Sequence, residues 1–185
     1  KDNHCASVCI NPCNLDIARE VLEGSDVKIG TVIGFPSGAH TTFSKVAEAI
    51  DAYARGAVEL DMVIDIGALR NGEYDDVYND IKAVVDATPA VVKVILENCY
   101  LTKEQIVKGC QLCEKAGADF VKTSTGFAEG GATVEDIKLM RESVSEKVHV
   151  KAAGGIHSKE DVEALVAAGA DRVGVSRTQA IAAEF

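Results

Sequence analysis

The sequence predicts an α/β fold in which helices cover a parallel β-sheet. Short apolar runs alternate with amphipathic segments along the whole chain, as is typical of parallel strands joined by helical crossovers. Gly-Ala pairs at 56–57, 117–118 and 169–170 each precede a strand, where glycine suits a left-handed helix end. Seven strand–helix units occupy 185 residues, whereas a (β/α)8 TIM barrel has eight units in about 250 residues. We therefore expect a single barrel domain over residues 1–185 that lacks its first βα unit.

Each predicted strand is followed by a predicted helix. The strands are expected at 6–10, 28–33, 59–64, 91–96, 120–123, 148–152 and 172–175. The helices are expected at 14–22, 41–53, 75–86, 102–117, 133–144, 158–167 and from 178. Helix 41–53 has apolar residues at 46, 49, 50 and 53, the spacing of one helix face. Thr102 with Gln105 forms a capping-box pattern, and Ser158 with Asp161 marks another helix start. The segment through residues 67–72 is expected to be a loop.

Composition limits the possible partners and the location. The formal charge of -10 argues against nucleic acid or an anionic membrane as a partner. No apolar run approaches the ~20 residues of a spanning helix, and no signal-peptide pattern opens the chain. We therefore expect a cytoplasmic protein. The six cysteines are Cys5, Cys9, Cys13, Cys99, Cys110 and Cys113. They are expected to be buried reduced thiols, and no metal or redox role is expected for the Cys-x-x-Cys pair of Cys110 and Cys113.

Four consecutive predicted strands each carry one ionisable side chain: Asp61, Lys93, Lys122 and Lys151. Side chains alternate between the two faces of a strand, and neighbouring strands lie about 4.8 Å apart. If all four groups point inward, they meet in the barrel interior. A lysine there loses its hydration, which costs several kcal/mol unless the amine is paired or deprotonated.

Such a cluster favours amine chemistry. Two neighbouring ammonium groups disfavour each other's protonation, and desolvation acts in the same direction. One lysine would thus be a free amine near neutral pH, as attack on a carbonyl to form a Schiff base requires. The other would stay protonated and assist proton transfer, while Asp61 balances the charge and relays protons. The alternatives are a snorkelling lysine at a strand end and a buried ion-pair network of the lysines with Asp61 and Glu59.

The ends of the last two strands predict a phosphate site. Gly154 and Gly155 follow the strand of Lys151, and Gly174 and Ser176 follow the final strand. Barrel enzymes commonly bind phosphate with the loops after strands seven and eight and a helix amino terminus. Glycine permits close backbone approach, and the hydroxyl of Ser176 and the guanidinium of Arg177 could bind phosphate oxygens.

Six segments together resemble the deoxyribose-phosphate aldolase family, across essentially the whole chain. They are SVCINP (7–12), TVIGFP (31–36), ELDMVI (59–64), KVILE (93–97), VKTSTGF (121–127) and VKAAGGI (150–156). The resemblance implies a class I aldolase that reversibly cleaves 2-deoxy-D-ribose 5-phosphate to D-glyceraldehyde 3-phosphate and acetaldehyde. It implies no metal or organic cofactor, and a homodimer.

The resemblance also implies residue roles. Lys122 would form the Schiff base, Lys151 would keep it deprotonated and serve the proton relay, and Asp61 would act as acid and base through an ordered water. Lys93 would help set the charge of the pocket, and Cys9 would lie near the site. The residues expected around the phosphate are Gly126, Gly154, Gly155, Gly174 and Ser176.

Two features depart from the family pattern. The family's first strand, with an Asp-His-Thr-like motif, has no counterpart here, and Arg177 stands where the family usually has Ser or Ala. Two other functions are compatible with the residues. One is a phosphosugar isomerase or decarboxylase that uses the lysines for electrostatic binding, and the other is a non-catalytic phosphosugar-binding barrel.

Overall fold

A computed structural model describes residues 3–185 as one parallel sheet covered by helices. The seven strands lie in chain order in the sheet, and every neighbouring pair is parallel. They are β1 (Ser7–Ile10), β2 (Lys28–Ile33), β3 (Glu59–Val63), β4 (Val91–Ile95), β5 (Phe120–Lys122), β6 (His149–Ala153) and β7 (Arg172–Gly174).

Eight α-helices are formed within residues 3–185, with two 3₁₀ turns at Pro12–Asn14 and Asn98–Tyr100. They are α1 (Leu15–Val21), α2 (Thr42–Ala54), α3 (Ile66–Asn71), α4 (Tyr74–Ala87), α5 (Lys103–Ala116), α6 (Val134–Ser143), α7 (Lys159–Ala167) and α8 (Thr178–Ala182). None of these helices has the length and apolar character needed to cross a bilayer.

The sheet curls, so that its two edge strands approach each other. Arg172 on β7 places its Nη1 atom 3.4 Å from the hydroxyl of Ser7 on β1. The strands therefore form an open, curled sheet with the shape of an incomplete barrel. Alternate side chains point to the helices, and Leu60, Val94 and Val150 form part of the apolar layer between sheet and helices. Burying each such side chain stabilises the fold by about 1.5–3 kcal/mol.

The sequence located the strands and most helices to within two residues. The capping box predicted at Thr102 is present, and the helix start predicted at Ser158 and Asp161 is a second capping box. The glycines that precede β3, β5 and β7 have positive φ values of 100°, 88° and 113° at Gly56, Gly117 and Gly169, which confirms the predicted left-handed helix ends. A side chain at these backbone angles would be strained, and this explains the recurrence of glycine there.

One predicted loop is wrong. The segment through residues 67–72 contains α3, because two short-range signals outweigh its glycines. The carboxylate of Asp65 accepts a hydrogen bond from the backbone N–H of Ala68 and caps the helix start. Gly72, in a left-handed conformation with φ 80°, ends it.

The face assigned to helix 41–53 is correct in part. Ala49 is fully buried and Val46 packs against the core, whereas Ile50 and Tyr53 are 51% and 41% exposed and Lys45 is fully buried. Lys45 can be buried because its ammonium donates to Asp80 of α4 at 2.6 Å and to the carbonyl of Val63 at 3.1 Å. The ion pair turns a polar position inward and leaves apolar side chains outside.

The expectation that all six cysteines are buried is contradicted as well. All six are free, but only Cys110 and Cys113 are buried, while Cys9, Cys13 and Cys99 are exposed. The buried pair lies on α5 under the sheet, where desolvation raises the pKa of the Cys110 thiol to about 12. The exposed cysteines lie on the edge strand β1 or in the two 3₁₀ turns.

Candidate active site

A single carboxylate holds three lysines together inside the curled sheet. Asp61 is completely buried, and its Oδ2 atom accepts hydrogen bonds from Lys122 at 2.7 Å and from Lys151 at 2.8 Å. Its Oδ1 atom accepts a hydrogen bond from Lys93 at 2.9 Å. The prediction that four adjacent strands direct their ionisable groups to one place is therefore confirmed.

The strand register explains this meeting point. Asp61 pairs with Lys93 across β3 and β4, and Lys122 pairs with Lys151 across β5 and β6. Lys93 is opposite Phe120 on β5, so Lys122 lies one inward position further along its strand. The ionisable groups thus form two layers, with Lys122 and Lys151 nearer the carboxyl ends of the strands, where barrel enzymes carry their active sites.

A second carboxylate supports the layer beneath Asp61. Glu59 accepts hydrogen bonds from Lys93 at 2.7 Å and from Nη1 of Arg172 at 2.8 Å. The ring of Phe120 lies 5.8 Å from the Lys93 ammonium and 5.2 Å from the Arg172 guanidinium, within cation–π range. Arg172 was not predicted to belong to the site, although it lies two residues before Gly174 and therefore shares the inward phase of that glycine.

The surroundings of these groups shift their pKa values in opposite directions. Desolvation opposes ionisation of Asp61, but Lys122, Lys151 and Lys93 together outweigh it and hold the Asp61 pKa far below its usual range. Desolvation also opposes ionisation of Glu59, yet hydrogen bonds from Lys93 and Arg172 leave its pKa lowered. Both carboxylates are therefore ionised at neutral pH.

Lys151 responds in the other direction. Desolvation lowers the pKa of Lys151, its attraction to Asp61 opposes that change, and repulsion from Lys122 and Lys93 adds to it. Four basic side chains share two carboxylates in this network, so positive charge is in excess when every amine is protonated. Loss of one proton relieves that excess and leaves a free amine beside Asp61.

The loops above the lysines approach each other through glycine. The amide of Ala132 donates to the carbonyl of Gly154 at 3.0 Å, and a side chain on Gly131 would collide with the Gly154 carbonyl. Gly126, Gly154 and Gly155 all have positive φ, between 73° and 84°. Gly126 lies beside Gly154, so two of the predicted phosphate-binding glycines are neighbours. Gly131 was missed because nothing in its sequence context marks a contact with a distant loop.

The remaining predicted residues lie on β7, on the loop that follows it and on β1. A Cβ on Gly174 would lie 3.3 Å from Cε of Lys151. Ser176 lies in the loop between β7 and α8, and Arg177 is the N-cap residue of the five-residue helix α8. Cys9 lies on the edge strand β1, and although solvent reaches its side chain, desolvation by the surrounding protein and then Asp61 raise the pKa of its thiol.

No group of three or more His, Cys, Asp or Glu side chains within residues 3–185 has the arrangement needed to hold a metal ion. The site is instead rich in amines. A buried amine that can lose its proton beside an ionised carboxylate can attack a carbonyl carbon and pass protons to its neighbours.

Comparison with known proteins gives a consistent result. The family model of the DeoC/LacD family aldolases matches residues 1–178. A deoxyribose-phosphate aldolase of Thermoanaerobacter pseudethanolicus is 56% identical over 184 residues, which are 97% of this chain and 82% of the relative. A deoxyribose-phosphate aldolase of Clostridium perfringens is 59% identical over 178 residues, or 95% of this chain and 80% of the relative.

The fold is similar to that of a solved structure in the same group. The tetrameric deoxyribose phosphate aldolase of Aeropyrum pernix superposes with a TM-score of 0.87 at 32% identity, covering 95% of this chain and 75% of that one. Sequence and structural similarity therefore agree.

Proposed function

The chain belongs to the DeoC/LacD family aldolases, and we propose that it is a deoxyribose-phosphate aldolase. It reversibly cleaves 2-deoxy-D-ribose 5-phosphate to D-glyceraldehyde 3-phosphate and acetaldehyde through a Schiff base. The observation that carries this function is the triple contact of Asp61 with Lys93, Lys122 and Lys151.

In this proposal Lys122 is the nucleophile. Its unprotonated amine adds to the C1 aldehyde of the open-chain sugar, and loss of water gives the protonated Schiff base. Removal of the proton from the C3 hydroxyl then breaks the C2–C3 bond, releases glyceraldehyde 3-phosphate and leaves an enamine on Lys122. Protonation of the enamine carbon and hydrolysis release acetaldehyde and restore the amine. The buried position of Lys122 favours the imine, because little water competes for the site.

Lys151 and Asp61 are proposed to move the protons. Oδ2 of Asp61 contacts both Lys122 and Lys151, so the carboxylate holds the two amines beside each other. The lowered pKa of Lys151 brings it closer to the working pH, which suits a group that accepts and returns protons. Asp61, held ionised by its neighbours, acts on the acetaldehyde-derived intermediate through an ordered water. Lys93 keeps the carboxylate in place.

The phosphate is proposed to bind at the glycine-lined loops. Gly126, Gly154 and Gly155 offer backbone that a ligand can approach closely, and Gly174 with Ser176 extends this surface along β7. The excess of positive charge in the network below adds attraction for a dianion. Cys9 is proposed to line the site from β1.

We also propose that residues 1–185 form a single TIM-barrel domain whose sheet is part of a full (β/α)8 barrel. The edge strands β1 and β7 are both only partly buried, and Arg172 bridges the gap between them. An eighth strand between them would bury both edges. The chain spans 82% of the length of its Thermoanaerobacter relative. Hydrogen exchange of the β1 and β7 amides in the Thermoanaerobacter relative and in this chain would test the proposal.

A homodimer is proposed through the outer face of α2. Phe43, Ile50 and Tyr53 lie on this face and are 83%, 51% and 41% exposed. Large apolar side chains at such spacing are typical of a covered interface. The relative from Aeropyrum pernix is a tetramer.

A cytoplasmic location is proposed because all six cysteines are free.

Borohydride trapping tests the proposed function. The chain is reduced with borohydride in the presence of acetaldehyde or deoxyribose 5-phosphate, and its peptides are mapped by mass. We expect one reduced adduct, on Lys122, and none after Lys122→Leu. An adduct on Lys151 would exchange the proposed roles of the two lysines. Turnover of deoxyribose 5-phosphate without any adduct would point to an isomerase or decarboxylase. Binding of this sugar phosphate without turnover would point to a non-catalytic barrel.

A further inference from the structure

Glu97 is a buried acid with an unusual backbone, and the proposed reaction does not use it. The residue follows β4, is only 2% exposed, and adopts the left-handed conformation with φ 57° and ψ 63°. Outside glycine, this conformation is uncommon and costs of the order of 1 kcal/mol, so other contacts must hold it in place.

The strain arises where the pairing of β4 with β5 becomes irregular. The amide of Leu96 donates to the carbonyl of Lys122, and the amide of Asn98 donates to the carbonyl of Thr123. Two residues along the continuation of β4 thus match one residue along the continuation of β5, and Glu97 is the extra residue of a bulge. Bulges of this kind redirect a side chain, and here the carboxylate turns toward the loop between β5 and α6.

Both oxygens of that carboxylate bind one residue. Oε1 of Glu97 accepts a hydrogen bond from the backbone amide of Thr125 at 3.1 Å, and Oε2 accepts a hydrogen bond from the Thr125 hydroxyl. The same hydroxyl oxygen accepts a hydrogen bond from the amide of Phe127 at 3.0 Å. Glu97 therefore fixes residues 125–127, which begin three positions after Lys122.

The loop is also attached at two other points. The ring of Phe127 meets the ring of Phe35 edge to face at 5.1 Å, and this contact joins it to the loop after β2. Ala132 bonds to Gly154 in the loop after β6. Among these attachments, the Glu97 contact is nearest in sequence to Lys122, and it is the one made by a charged group.

We propose that Glu97 is a positioning residue that acts through Thr125. It holds the β5–α6 loop so that Gly126 meets the phosphorylated end of the substrate while the aldehyde end reaches Lys122. This inference rests on the proposed function. Loss of the Glu97 contact should impair use of the phosphorylated sugar and spare imine formation with acetaldehyde, which carries no phosphate.

The test compares Glu97→Gln, Thr125→Val and the double variant, with Glu129→Gln as the matched control. Glu129 is an exposed acid in the same loop. The measurements are kcat and KM for deoxyribose 5-phosphate, kcat/KM for unphosphorylated deoxyribose, and borohydride trapping with acetaldehyde. Removal of a charge-assisted hydrogen bond should lower kcat/KM for the phosphorylated sugar by about 10- to 100-fold, mainly through KM.

Three further results are expected. The preference for the phosphorylated sugar falls in both single variants, the double variant is no worse than the poorer single one, and acetaldehyde trapping on Lys122 stays near that of the Glu129→Gln control. Thr125→Ser keeps the hydroxyl, so it should lose much less kcat/KM for the phosphorylated sugar than Thr125→Val.

The proposal is overturned if Glu97→Gln has the same kinetics as Glu129→Gln, or if the losses of kcat/KM in the two single variants multiply in the double variant. It is overturned as well if kcat/KM falls equally for deoxyribose 5-phosphate and for unphosphorylated deoxyribose. It is also overturned if acetaldehyde trapping disappears in both single variants, because the damage would then extend to the lysines. Failure of the unmodified chain to form any adduct would instead refute the proposed function, and this inference with it.

Discussion

Replacing Asp61 by Asn should destabilise the protein far more than replacing any one of its lysine partners. The substitution keeps the shape and removes the charge that three ammonium groups share. Breaking a buried ion pair from one side costs about 3–5 kcal/mol, because the partner charge stays buried without compensation. Lys122→Met removes one of four basic groups and leaves Asp61 bound to Lys93 and Lys151. We expect that change to cost less than about 2 kcal/mol.

The pH dependence gives this prediction a second readout. In the Asp61→Asn variant, burial without the opposing carboxylate lowers the folded-state pKa of Lys151 further, so the unfolded state binds more protons than the folded state. Stability then rises with pH between the lowered folded-state value and the ordinary lysine value of 10.5. The deficit relative to the unmodified protein should therefore shrink by about 1 kcal/mol or more between about pH 7 and about pH 9.5.

Urea unfolding followed by circular dichroism at the two pH values measures this deficit. Lys122→Met is the matched control, because it removes the opposite sign of charge from the same cluster. The expected role of the Asp61 charge is contradicted if Asp61→Asn costs no more than Lys122→Met, or if its deficit is the same at both pH values.

Three other outcomes are expected. Lys151→Met should shift the pH profile of adduct formation on Lys122 to higher pH, because a neighbouring positive charge and a proton acceptor are both lost. An unchanged profile would contradict the relay. Gly131→Ala should raise KM for deoxyribose 5-phosphate and destabilise the fold by about 1–3 kcal/mol, since the methyl group collides with the neighbouring loop; wild-type kinetics would show that this loop contact is unimportant. Iodoacetamide should label the exposed Cys99 in the native protein and spare Cys110, with its pKa of about 12; peptide mapping measures both.

The lysine cluster could be predicted because it depends only on alternation within strands and on their order in the sheet. Asp61, Lys93 and Lys122 lie on consecutive strands, and a parallel sheet with short crossovers makes such strands neighbours. No further information was needed to bring these residues together, although they are up to 61 positions apart.

Other parts of the site could not be predicted, because they depend on tertiary contacts. The role of Glu97 follows from a bulge and a left-handed backbone, for which the sequence has no local signal. Lys45 occupies a helix position that usually faces water, and its burial depends on Asp80, which is 35 residues away. The helix α3 was not predicted, because the low helix propensity of its two glycines outweighs the cap at Asp65 when only local sequence is considered.

The inward charges also govern how the strands align during folding. The strand β4 is apolar on both faces apart from Lys93, so its valines and isoleucine would pack almost equally well if it moved one residue along β3. Such a slip would turn Lys93 toward the helices, where Leu60 and Met62 on the neighbouring strand belong to the apolar layer. The uncompensated ammonium would cost several kcal/mol. The residues that are proposed to carry out the reaction therefore also disfavour misaligned sheets. A variant without these side chains should lose its unique fold before it loses its compactness.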